Sequence, residues 1–314
     1  MFHRFGISSA KQPTLKIVML LLAILFATIT QAQQAITDDL IKKARQGNMY
    51  DLDKILDYTK TMSDALNVLS SLKKYHNDSS RAVKLMIFSA EYKIARSSNS
   101  VDIKRAASTS LSAALLDKDP FVWQTVSRQM SSFLRSEFSE EAKATIGNLI
   151  INNNVNRELI LLAGCAELKS QIDKINQILI VHQKSSQASD RKLSWACHLA
   201  LARLGVDSQL TYCLQKVRAE KDDVIRVTIL LKDLAYTRQL AAIKEIQGYV
   251  EDENRLPSVT PGEAGAKYCS YAINILAQII KDFPVNANSI YYTNDEIKIC
   301  RQWIKENSNF SIIK

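Results

Sequence analysis

The chain has 314 residues, of which 46% are hydrophobic, 23% charged and only 7% aromatic. Its eight glycines and five prolines make up about 4% of the sequence, against an average near 12%. Sandwiches, barrels and propellers need frequent turns, so this scarcity of turn residues excludes them. The ordinary apolar fraction excludes intrinsic disorder, and five cysteines are too few for a disulfide scaffold of this length. The composition predicts an all-α globular protein.

Residues 1–32 have the three parts of a secretory signal peptide. Arg4, Lys11 and Lys16 precede an uncharged apolar run over 17–29, and Ala32 stands at a suitable cleavage position. The run has 13 residues, whereas spanning a bilayer takes about 20. We expect an exported protein, periplasmic or extracellular and soluble after cleavage near Ala32, with no membrane span in the mature chain. An uncleaved anchor is the alternative.

Loss of the leader removes three basic residues and lowers the net charge from +9 to +6. The remaining surplus is spread thinly along the chain, without a run of basic residues that could follow a phosphate backbone. We therefore expect no nucleic-acid partner.

Apolar residues recur at spacings of three and four nearly throughout the mature chain, which is the period of amphipathic helices. The pattern predicts a short helix from Thr37 to Ala44, ended by Gly47, and a second from Asn48 to Leu56. The later predicted helices are, in chain order, 63–76, 80–97, 101–117, 120–135, 140–152, 155–169, 173–183, 190–204, 207–220, 223–236, 239–250, 263–281 and 294–307. Capping boxes at 260–263 and 293–296 mark the starts of the last two.

A repeat runs through the centre of the chain. Arg157, Arg191 and Arg226 lie 34 and 35 residues apart. Three further triplets share this register: Leu161, Trp195 and Leu230; Cys165, Leu199 and Leu234; and Ala166, Ala200 and Ala235. Each block continues into a second striped helix, at Ile175-Ile178-Leu179, Leu210-Cys213-Leu214 and Leu240-Ile243-Ile246. A hairpin of this length cannot bury its apolar face alone, so neighbouring hairpins are expected to stack.

On these residues the chain resembles the HEAT/armadillo class of helical repeats, most clearly over 155–250. Asp119-Pro120-Phe121-Val122 and Asp223-Val224-Ile225-Arg226 look like the start of the first helix in that class. The resemblance implies a right-handed α-solenoid, an α-α superhelix of stacked antiparallel hairpins, with no catalytic residues to transfer. The predicted organisation is a signal peptide over 1–32, irregular helical hairpins over 33–118, and HEAT-like repeats over 119–314 in one continuous solenoid.

The histidines and cysteines lack the spacing of a metal or nucleophilic site. No H-E-x-x-H or C-x-x-C arrangement occurs, and we predict neither a metal nor an organic cofactor. His182 extends the stripe at 175–179, which favours a partly buried packing residue. Cys197 and Cys213 lie eight residues either side of Gly205 and could face each other across one hairpin. Both a disulfide and two reduced core thiols stay open as interpretations.

The leading functional hypothesis is an exported, non-enzymatic scaffold or binding protein, whose partner is a protein or a glycan. In the repeat register, Thr211 aligns with Lys244 and Tyr212 with Glu245, on the outer side of the second helices. Tyr212, Lys216, Arg218 and Lys244 are the predicted binding residues. The alternative is an exported α/α-toroid enzyme that processes glycans, for which no catalytic constellation stands out. The charged segment 251–260 is either a solvated loop or a contact loop.

Overall fold

A computed structural model describes the protein over residues 34–47, 52–152, 155–258, 264–287 and 290–313. The structure is 71% helical, and within these ranges no strand forms. Within these ranges, β-type backbone pairing consists of two isolated bridges, Arg255 to Lys267 and Ile280 to Ile312. The predicted all-α class is confirmed. The predicted signal peptide and the box at 260–263 lie outside the described residues.

The chain forms two compact units, residues 1–126 and 127–314. The division lies inside a helix, whereas the predicted boundary at 118/119 preceded it. The helices of the first unit are α1 (34–45), α2 (Asp53–Leu56), α3 (Met62–Lys73), α4 (Arg81–Ser97) and α5 (Val101–Ser112), and α6 (Pro120–Met130) crosses the division.

Hydroxyl side chains start three helices of the first unit. The side-chain oxygens of Thr61, Ser80 and Ser100 each accept the backbone N–H three residues later, which satisfies a donor that the helix leaves unpaired. Helix α4 packs against α2, α3 and α5 and buries Ile87 and Phe88 completely. These contacts define the apolar centre of this unit.

The second unit continues with hairpins of unequal helices. They are α7 (Glu140–Ile151), α8 (Arg157–Cys165), α9 (Ile172–His182), α10 (Ala188–Arg203), α11 (Asp207–Ala219), α12 (Asp223–Ile225), α13 (Leu231–Tyr236), α14 (Leu240–Gly248), α15 (Tyr268–Ile279) and α16 (Asn294–Glu306). A π-helical turn, Arg226–Leu230, joins α12 to α13, so that one helix runs over the predicted range 223–236. The predicted capping box of Thr293 and Glu296 is confirmed at the start of α16.

The predicted start of α15 at residue 263 is wrong. The helix begins at Tyr268, because residues 264–267 pair with the preceding loop: Leu256 N donates to Ala266 O at 3.0 Å, and Tyr268 N donates to Asn254 O at 2.8 Å. A Cβ on Gly265 would lie 1.7 Å from the Leu256 carbonyl oxygen, so only glycine fits this approach.

Arg301 of α16 ties the described part of the 251–260 segment to the helical body. Its guanidinium lies 2.5 Å from Glu253 Oε1 and 3.3 Å from Glu251 Oε2, and it also donates to the backbone oxygen of Val250 at 2.9 Å. The acidic residues of the loop are therefore held by ion pairs, which the sequence pattern did not predict.

Three successive hairpin turns share one backbone conformation. Glu167, Gly205 and Arg238 each lie two residues beyond the end of α8, α10 or α13, and each has a positive φ, of 51°, 94° and 55°. At the first two turns, the N–H of the next residue bonds back five positions at 3.0 Å, as in a Schellman cap. This conformation reverses the chain into the second helix of each hairpin.

Helix α10 lies between neighbours on several sides. It packs against α8, α9, α11 and α13, and its residues from 196 to 202 are all buried. A Cβ on Gly164 of α8 would lie 3.3 Å from Ala200 Cα and 2.1 Å from the Tyr236 hydroxyl oxygen. Glycine at 164 and alanine at 200 therefore allow the two helices to approach closely, while Tyr236 donates its hydroxyl to the Leu161 carbonyl.

Most repeat positions are buried as predicted. The triplets Cys165, Leu199 and Leu234, and Ala166, Ala200 and Ala235, are all at most 4% exposed. Leu230 is buried, but Leu161 and Trp195 are only half-buried. Trp195 lies at the edge of the core because its indole N–H donates to Asp233 Oδ2 at 2.7 Å. Leu240 is also exposed, as the first residue of α14.

A buried polar cluster connects three helical segments of the first unit. His76 Nε2 lies 2.7 Å from Glu91 Oε1, to which Ser110 also donates at 2.7 Å. All three residues are at most 8% exposed, and the second Glu91 oxygen has no hydrogen-bond partner among the described residues. Burial raises the pKa of Glu91, and the bonds from His76 and Ser110 offset part of that rise.

We expect Gly205→Ala to lower the free energy of unfolding by about 1 kcal/mol. The loss of stability comes from backbone conformation and not from a clash. Among the described residues, no atom lies within 4 Å of a Cβ added at Gly205, whereas the φ of Gly205 is positive. Gly248→Ala is the matched control, since its added Cβ also meets nothing within 4 Å and its φ is −56°. The free energy of unfolding of Gly248→Ala should rise by about 0.5–1 kcal/mol. Urea denaturation measures the free energy of unfolding of both variants. A change of the same sign in both would contradict a conformational role for Gly205.

His76→Phe should destabilise the protein by about 3 kcal/mol at pH 7, because it leaves Glu91 buried without its main partner. Because the pKa of Glu91 is raised in the folded protein, the protonated carboxyl favours the folded state. This stabilisation is complete below the pKa of the carboxyl in the unfolded chain, about 4.3, and it is lost as the pH rises through the pKa of the carboxyl in the folded protein. The variant should therefore be more stable at pH 5 than at pH 7. The reference is His76→Phe/Glu91→Leu, which lacks the carboxyl. If the difference in the free energy of unfolding between His76→Phe and this reference is the same at pH 5 and at pH 7, the assignment is contradicted.

Candidate functional site

The four predicted binding residues are all exposed, and we call them the binding face: Tyr212, Lys216, Arg218 and Lys244. Their orientation follows from the buried side of the same helices. Cys213 and Val217 of α11, and Ile243 of α14, are fully buried in the core of the second unit. The four residues of the binding face are each adjacent in sequence to one of these buried positions, so they lie about 100° from it around the helix, and they are exposed to solvent.

Tyr212 is an exposed aromatic ring with a fixed position. It stacks on His198 of α10, with ring centroids 3.9 Å apart and an angle of 21° between the planes. His198 is held in turn by Gln209, whose Oε1 lies 2.5 Å from Nδ1. Burial lowers the pKa of His198, so its ring is neutral at pH 7. Tyr212 is 44% exposed and offers its other side to solvent.

The charges of the binding face differ in their surroundings. Arg218 donates to Glu245 Oε2 from both Nη2, at 2.6 Å, and Nε, at 3.1 Å, and this bond raises the pKa of Arg218. Among the described residues, Lys216 and Lys244 have no carboxylate within 4 Å. The two lysines are therefore the available cations of this face, whereas Arg218 is largely neutralised.

Sequence reasoning missed a polar pair between α9 and α10. His182 Nδ1 lies 3.0 Å from Asp190 Oδ1, and both side chains are about one-quarter exposed. Hydrogen bonds from Ser185 and His182 lower the pKa of Asp190. The pair lines an open groove between α9 and the starts of α8 and α10. His182 is partly buried as expected, but a carboxylate contacts it, which its place in an apolar stripe did not indicate.

The five cysteines are buried free thiols in the structure. Burial raises the pKa of both Cys197 and Cys213 to about 12. A thiolate is the reactive form of cysteine, so these two side chains are unreactive core residues in this state. The bridge between them stays a prediction.

Nowhere in the described part of the chain do three or more histidine, cysteine or acidic side chains come close enough to hold a metal ion. Nor does any described helix combine the length and the apolar character needed to cross a bilayer.

Comparison with known proteins finds no match to this chain among family models, curated proteins or solved structures.

Iodoacetamide should leave the folded protein unmodified at pH 8 and add five groups once urea exposes the chain, because burial is what suppresses thiolate formation. Intact mass spectrometry of protein isolated without reductant measures both states. Three additions in urea, rising to five after reduction, would show that one pair of cysteines is bridged in the isolated protein, and mapping of the alkylated peptides would test whether that pair is Cys197 and Cys213.

Proposed function

We propose that this chain is an exported, non-enzymatic scaffold of the HEAT/armadillo type, a right-handed α-solenoid that binds a partner protein through its binding face. The observation that carries the proposal is Tyr212, a large exposed ring held by stacking on His198. Lys216 of the same helix and Lys244 of α14 are exposed as well, and neither has a carboxylate within 4 Å among the described residues. Rigid aromatic side chains dominate the binding energy of protein interfaces, because little conformational freedom is lost on binding.

Regular contacts along the chain support the repeat. Each of the following pairs joins residues 33 to 38 positions apart: Arg45 with Asp78, Lys84 with Asp117, Cys165 with Ser131, Arg203 with Tyr236, and Trp195 with Asp233. This interval is the length of one helical hairpin with its connections. The first two pairs lie in the part of the sequence where the apolar pattern predicted only irregular hairpins.

The order of helix packing also supports stacked hairpins. Helix α10 packs against both α8 and α13, and α13 packs in turn against α15. The second helices follow the same order, since α11 packs against α14. Neighbours in sequence are thus neighbours in space, as in a solenoid.

The charge and the leader support the choice of compartment and partner. The basic n-region and the apolar run of 1–32 have the composition of an export signal. The mature charge of +6, together with Lys216 and Lys244, favours an acidic partner surface. A glycan partner is the other outcome that the test distinguishes.

The test is capture of the partner from an extract of the native envelope by tagged protein. Intact mass of the bait checks export, with a mature N-terminus expected near Gln33. Tyr212→Ala, and separately Lys216→Glu/Lys244→Glu, should each reduce the retained partner about tenfold or more while changing the free energy of unfolding by less than about 1 kcal/mol. Protease or glycosidase treatment of the retained material assigns it to one class.

The matched control is Arg128→Glu/Lys232→Glu. It changes the net charge by the same amount as Lys216→Glu/Lys244→Glu, on exposed residues of α6 and α13, which are the first helices of their hairpins. This control should retain the partner. Equal retention by the control and by both face variants would place the binding surface elsewhere.

A further inference from the structure

The groove between α8, α9 and α10 is a second surface with the features of a binding site. It has a volume of about 790 Å³ and lies outside the binding face. One wall is a single side of α9, where Lys174, Ile178, Val181 and His182 follow one another at helical spacing. Eight residues of helix span about 12 Å, which is the length of about four residues of extended chain.

The floor of the groove is apolar. Ile178 and Leu193 are buried beneath it, whereas Val181 is 72% exposed at its edge. The neighbouring Ile180 is also 64% exposed, so α9 presents two adjacent apolar side chains to solvent near its end. An apolar side chain of a partner would remove this surface from water, at about 25 cal/mol for each Å² buried.

The charges of the groove are unequally matched. Its two carboxylates already have partners, since Asp190 pairs with His182 and Glu158 lies 3.8 Å from Arg157. Lys174 and Lys192 line the same groove, and within the described chain neither has a carboxylate within 4 Å. Lys174 is half-buried as a residue and lies beside the apolar floor of the groove. A carboxylate of a partner could form a charge-assisted hydrogen bond with either lysine.

We propose that this groove binds a short acidic peptide segment in which carboxylates flank an apolar side chain. The apolar residue lies over Ile178 and Leu193, and the carboxylates pair with Lys174 and Lys192. A peptide fits better than a small molecule because the groove is open at Val181, whereas small-molecule sites enclose most of their ligand. The proposal does not depend on the binding face.

The probe is the fluorescein-labelled peptide Gly-Glu-Glu-Leu-Leu-Glu-Glu-Gly, measured by anisotropy with the full mature chain. Wild type should bind it, and Lys174→Glu/Lys192→Glu should weaken binding about tenfold or more. Arg128→Glu/Lys232→Glu is the matched control in net charge, on exposed residues outside both proposed surfaces, and it should bind as wild type does. Affinity should fall when salt is raised, because the attraction is between exposed charges.

Two further peptides and one vesicle complete the test. Replacing both leucines with serine, or all four glutamates with lysine, should abolish binding. No binding of the dileucine peptide to wild type, or an equal loss of binding in the groove variant and in the matched control, would overturn the proposal. Binding of phosphatidylglycerol vesicles through the same two lysines, without peptide binding, would assign the groove to a membrane surface. If the wild-type protein binds the peptide but captures no partner from the envelope extract, only the proposal for the binding face is contradicted.

Discussion

Helix α10 is buried on so many sides that it cannot be stable without its neighbours, and the second unit is arranged around this requirement. Seven consecutive residues, 196 to 202, are removed from water, so both faces of the helix need partners. The close approach to α8 depends on Gly164 opposite Ala200, where an added methyl group would collide with the Tyr236 hydroxyl. Tight packing of this kind makes each hairpin dependent on the next.

The polar contacts that accompany this packing place charged groups at the edges of the core. Asp233 is largely buried, and burial raises the pKa of its carboxyl, which the Trp195 indole N–H and the nearby Arg157 partly offset. In the first unit, Glu91 with His76 and Ser110 is a fully buried version of the same arrangement. Pairing of such groups contributes little net stability, because the cost of removing a charge from water consumes most of the gain.

The two proposed binding surfaces share a physical logic. In each, an exposed apolar or aromatic side chain is fixed by the helices beneath it, and two lysines nearby have no carboxylate within 4 Å in the described chain. Arg218 and Arg157 are different, because Glu245 neutralises the first, and Glu158 and Asp233 lie near the second. Charge that is already paired contributes little to recruitment of a partner, so in both proposals the lysines are the residues expected to pair with an acidic ligand.

The sequence by itself determined the helical class, most helix ranges and most of the buried positions over 155–250, because these depend on local propensity and on the spacing of apolar residues. It also placed the binding face on the solvent side, since Cys213, Val217 and Ile243 had to face the core. Only the tertiary structure decided that Trp195 lies half-buried against Asp233, that α15 begins at Tyr268, and that Arg218 is paired with Glu245. The groove between α8, α9 and α10 also belongs to this second group. Each of these features joins residues from separate segments of the chain, and their contact depends on how those segments pack rather than on any spacing within one helix.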